Sequence, residues 1–113
     1  MALKRMALEI GMGTDIRGAD STKAAQRALR DALWRNTLSI ARILGQEPED
    51  MKIEVHIGVP RPETVDHDAV LSILPYGTAT LNVREGGLEM ANDEGTDTTL
   101  IAHAAAVVSL DLD

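Results

Sequence analysis

IGMGTDIRGADSTKAAQRAL, residues 10–29, is the stretch on which the fold turns. Gly11, Gly13 and Gly18 fall within eight residues, with Asp15 among them, and an alanine-rich segment follows. Upstream, apolar and polar residues alternate from Leu3 to Ile10: Met6, Leu8 and Ile10 face one way, Arg5 and Glu9 the other. A period of two marks a half-buried strand. Downstream, Asp20 or Ser21 stands at an N-cap position. TKAAQRALRDALWR then puts Ala25, Leu29, Ala32 and Leu33 on one stripe and Lys23, Gln26, Arg27, Arg30 and Asp31 opposite. The stretch predicts a strand, a glycine-rich turn and a long helix, in that order. Ala25 and Ala28 let the helix sit close to a sheet, and a kink is expected near Asn36 and Thr37 before LSIARIL ends at Gly45.

Beyond Gly45, QEPED reads as a surface turn and MKIEVHIGV as a strand, with Ile53, Val55, Ile57 and Val59 alternating with Lys52, Glu54, His56 and Gly58. PRPE breaks that strand. VDHDAVLSIL predicts a short helix capped by Asp66 and ended by Pro75 and Gly77. TATLNVREGGLEMAN has the pattern of a hairpin, with Glu85, Gly86 and Gly87 at its tip and Leu81, Val83, Leu88 and Met90 on its inner face. NDEGTD is a polar loop. TLIAHAAAVVSLDL reads as a strand, although its alanines leave residues 100–106 ambiguous with helix.

The resulting order, β-α-β-α-β-β-β, predicts an α+β fold over residues 1–113 as one domain: a mixed β-sheet with two helices on one face. The other face is then left to solvent or to another chain. Ala7, Gly58 and Ala79 are expected there, and such small side chains favour a homo-oligomer packed sheet against sheet.

At 113 residues a monomer leaves much of its surface wet. Apart from Trp34 and Tyr76 there are no aromatic residues, and the net charge is −7. Nucleic-acid binding is disfavoured on both counts, because it needs stacking platforms and basic surface. The absence of cysteine excludes disulfides and thiolate chemistry. No apolar run approaches the roughly 20 residues of a membrane span, and MALKRMALEI is too interrupted for a secretory signal. The expectation is a cytoplasmic protein with no membrane or nucleic-acid partner.

The candidate ligand-binding residues are Gly11, Gly13, Asp15, Arg17, Gly18, Lys23 and His56. Glycines permit close backbone approach, and a helix start offers exposed N–H groups. The loop departs from a Walker A sequence, since Ala19 and Asp20 stand where Lys and Ser or Thr belong, and Ile16 breaks a G-x-G-x-x-G. Asp15 can instead satisfy turn amides. Asp66, His67 and Asp68 read as the acidic start of a helix rather than a metal site, and His103 as a satisfied, half-buried histidine. No metal site, cofactor or catalytic residue is assigned. Ser21, Thr22 and Lys23 are neighbours, but adjacency on a helix does not make a dyad.

Residues 11–18 resemble the signature of a small family of conserved hypothetical proteins of bacteria and plants, named from a Listeria locus, that carries G-x-G-x-D-x-H-G near its N-terminus. Gly11, Gly13, Asp15 and Gly18 fit, Arg17 stands at the histidine position, and the likeness extends through TKAAQRALRDAL over most of the chain. The resemblance implies no activity. More faintly, the element order is similar to the trimeric fold of one class of chorismate mutases and of the deaminase-like proteins. It also resembles the repeats of ring-opening amidohydrolases. These resemblances imply ligand pockets between subunits or repeats. Three functions stay open: a small-molecule-binding homo-oligomer, a trimer or other ring, with interfacial pockets around the glycine loop; an enzyme at that site resembling the ring-opening amidohydrolases or deaminase-like proteins, with Lys23, Ser21 or His56 moving protons; or an assembly unit without ligand.

Overall fold

A computed structural model describes residues 2–34, 40–75 and 77–112. The elements run β1 (Ala2–Asp15), α1 (Ser21–Trp34), α2 (Ile40–Ile43), β2 (Lys52–Val59), α3 (His67–Leu71), β3 (Thr78–Glu85), β4 (Leu88–Ala91) and β5 (Thr98–Leu112). Short 3-10 turns at Pro48–Asp50 and Pro62–Thr64 replace the expected QEPED and PRPE breaks. The class is α+β with a mixed sheet. The expected kink near Asn36 lies outside the described residues.

β5 is the spine of the sheet. It pairs antiparallel with β1 along nearly its whole length on one side. On its other side β2 covers residues 103–109 and β4 covers residues 98–101, both antiparallel. β3 pairs with β2 in parallel. The alanine-rich segment left open between helix and strand is thus strand throughout, because its alternate residues Leu100, Ala102, Ala104, Ala106, Val108 and Leu110 are all buried against the helices.

The helices lie on one face. α1 rests on β1 and β5, and α3 sits beside it next to β3. Ala24, Ala25, Ala28, Leu29 and Ala32 form the buried stripe of α1, close to expectation. They meet Ile53, Val55, Ile57 and Val59 of β2 and the even-numbered residues of β5 in one core. Asp20 caps α1, its Oδ1 accepting from Lys23 N–H at 3.1 Å. Asp66 caps α3 as predicted, accepting from Ala69 N–H at 3.2 Å.

Three expectations are corrected. First, there is no glycine turn at residues 11–13: β1 continues to Asp15, and Gly11 and Gly13 are inside it. Second, the faces of β1 are reversed beyond the register shift between Arg5 and Ala7: before it Met6 packs against the core and Arg5 is exposed, as expected. Leu8, Ile10 and Met12 are 52–65% exposed, whereas Glu9, Gly11, Gly13 and Asp15 lie beneath α1. The cause is steric: a Cβ on Gly11 would overlap Ala28 O and Ala32 N, and one on Gly13 would overlap Ala24 O and Ala28 N. The helix chose the side without side chains. By the same register Ala7 and Ala79 pair with Val108 and Ile53 on the helix face, and of the three small residues only Gly58 is on the open face.

Third, β3 and β4 form no hairpin. Both run in the direction of β2, and at Gly86 and Gly87 the chain steps sideways into the lane that β2 vacates at Pro60. Proline has no N–H to give a neighbouring strand, so β2 ends there. Gly86 N–H donates to Val59 O at 3.0 Å to fix the step.

Candidate functional site

The residues proposed around the glycine stretch fall into two separate places. At the helix-side end of β1, Asp15 is 6% exposed. Its Oδ2 accepts from Asp20 N–H at 2.8 Å, and its Oδ1 lies 3.3 Å from Arg27 Nη1, which also donates to Thr14 O at 2.7 Å. A buried carboxylate with a charged partner and a main-chain donor is a staple, here tying the strand end to the start of α1. Gly18 has φ +83° in that turn. Ser21 is buried, Thr22 Oγ1 accepts from Asp66 N–H at 2.9 Å, and Lys23 points outward, so the three do not converge. Arg17 is exposed and borders a hollow of about 410 Å³ shared with Met90, Asn92 and Asp97.

His56 is elsewhere, on the open sheet face. Cα partners in a sheet share a face, so the register sets His56 beside Asn82 on β3 and Ala105 on β5, with Gly58 next to Arg84 and His103. His56, Gly58, Arg84, His103 and Ala105 border a hollow of about 420 Å³ with Ile10, Gly86 and Gly87. The hollow exists because Gly58 contributes no side chain and the sideways step passes over it: a Cβ on Gly58 would stand 3.5 Å from Gly86 Cα.

His56, at the edge of the hollow, is held between two side chains. Glu54 Oε1 is 2.9 Å from His56 Nε2, and Arg84 Nη2 is 3.0 Å from His56 Nδ1. A guanidinium can only donate, so Nδ1 accepts and the ring proton sits on Nε2, donating to Glu54. Arg84 makes no ion pair among the described residues, and His103 is exposed rather than half-buried. His67 is the first residue of α3, where the adjacent Asp66 carboxylate is committed to its cap.

Arg84, Glu54 and His103 were not singled out in the sequence as members of one site. The alternation of Glu54 and His56 with buried Ile and Val does place those two on one face. That β5 lies between β1 and β2, bringing His103 to them, is set by pairing between distant segments, which periodicity does not report.

Fold and site together define a protein with one mixed sheet, helices on one side, and an open face that is part apolar ridge and part polar hollow. The chain belongs to the Lin0512 family of conserved hypothetical proteins, whose model matches residues 5–108. It is similar to an FtsZ-like protein of unknown function from Nostoc punctiforme PCC 73102, known from a crystal structure. That protein is 39% identical over 99% of both chains, with a TM-score of 0.89. No curated protein matches the chain.

Proposed function

We propose that the protein is a homo-oligomer that binds a small molecule, its copies meeting through the open sheet face and the ligand seated in the hollow beside His56. The observation that carries this reading is the amount and kind of surface left uncovered. A 12.1 kDa monomer is expected to expose about 6,000 Å², against 6757 Å² here. The excess, roughly 700 Å², approaches the ~800 Å² each partner gives to a standard interface. On the open face, Leu8, Ile10, Met12, Leu88 and Met90 are all more than half exposed. Charge also favours contact. Among the residues that the register places on this face, Arg5, Lys52 and Arg84 balance Glu54 and Asp111, so the face is near neutral in a chain of net charge −7.

The faint likeness to chorismate mutase and deaminase-like trimers, with pockets between subunits, agrees with this arrangement. Gly11 and Gly13 then serve the site indirectly: by admitting α1 on one side, they turn Ile10 and Met12 to the other. The test is light scattering on the wild type and on Leu8→Glu, a ridge residue that does not border the hollow. The expected result is an assembled wild type and a folded, monomeric variant. A wild type that stays monomeric at high concentration overturns the reading.

A further inference from the structure

We infer that the hollow takes a flat, largely apolar mono-carboxylate, its carboxylate on Arg84 and its body against the glycine floor. This rests on the small-molecule reading above and names the ligand class. Three features of the hollow specify it.

The first is an unmatched cation. Arg84 has no acidic partner among the described residues and is parked on the lone pair of His56 Nδ1. One of its N–H groups is used there, which leaves others to grip a carboxylate in two-point fashion. The second is the limit on ligand charge. Glu85 borders the same hollow, so a second negative charge would face a carboxylate as well as the one guanidinium. A monoanion is favoured over phosphate on that ground. The third is shape. Gly58, Gly86 and Gly87 present bare peptide surface, with Ile10 and Ala105 as the apolar margin. A flat ring fits such a floor, where a branched body would leave gaps.

Benzoate is the probe, with benzamide as its neutral counterpart and inorganic phosphate, at a mildly alkaline pH above its second ionisation, as the dianionic one. Binding is followed by NMR through the His56 and His103 ring signals. Benzoate is expected to bind roughly tenfold or more tightly than benzamide, the value of a charge-assisted contact, and phosphate to bind more weakly than benzoate. Arg84→Gln, at an exposed position, should lose the preference for benzoate over benzamide. Gly58→Ala adds a methyl at ordinary contact distance, so it should keep the fold while raising the floor and weakening both ring compounds. Overturning results are no benzoate binding, equal binding of benzoate and benzamide, tighter binding of phosphate, or an Arg84→Gln variant with wild-type preference. All liganding groups come from one chain, so Leu8→Glu should still bind benzoate. A wild type that is monomeric yet binds benzoate therefore sinks the assembly reading alone, and an assembled wild type that does not bind it sinks this one.

Discussion

A methyl group at Gly13 would meet the main chain of α1 at Ala24 and Ala28, and main chain cannot rotate out of the way as a side chain can. Gly13→Ala should therefore cost at or above the upper end of overpacking penalties, about 3 kcal/mol, and lower the thermal midpoint by roughly 10 °C or more. Calorimetry checks this, and a midpoint within a degree or two of wild type would show that α1 can lift off without loss. The same residues explain why the sequence misleads about β1. Alternation correctly announces a strand, and the usual rule then sends Met6, Leu8 and Ile10 inward. But a helix rich in alanine seeks the closest approach, and the side lacking Cβ atoms offers it. The smallest residues, not the greasiest, mark the covered side here. Asp15 was legible as a turn-satisfying carboxylate, although its partner Arg27 lies a full strand end and helix turn away.

Among elements, strand and helix identities were largely readable, because α1 carries a clean stripe and β2 a clean alternation. The error at β3 and β4 is instructive. Two alternating runs joined by Glu-Gly-Gly have the local chemistry of a hairpin, and the local chemistry is obeyed: Gly87 adopts φ +66°. What periodicity does not carry is that a partner lane lies open where β2 stops at Pro60. Gly87 lies so close to Ile101 O that a side chain there would collide with it. Gly87→Ala is thus expected to detach β4 from β5 while sparing the rest of the sheet. Hydrogen exchange should show lost protection at Leu88–Ala91, with the amides of β1 opposite β5 still protected. Uniform loss across the sheet would mean that the step is integral to global stability instead.

For the molecule as a whole, the long pair β1 and β5 sets an axis of 57 Å, and a radius of gyration of 15.5 Å exceeds the ~13 Å usual for this length. One layer of helices on an elongated sheet leaves the second face bare. The sequence indicated that layer arrangement, but not which residues occupy the bare side. β5 stands between β1 and β2, so those two strands share no hydrogen bonds without it. A chain ending at Asp97 is expected to lack a cooperative unfolding transition by circular dichroism. A sharp transition in that fragment would show that the helical layer alone organises the remaining strands.

The position of β5 in the chain also governs how the protein must be made. Its residues leave the ribosome some 80 positions after β1 is complete, roughly 4–17 s later at ordinary translation speed. Throughout that interval the nascent polypeptide carries the greasy Leu8–Ile10–Met12 row and a long unzipped edge past other emerging chains. Slowing translation of the final strand should therefore send more of the protein to inclusion bodies, read as the insoluble fraction on expression.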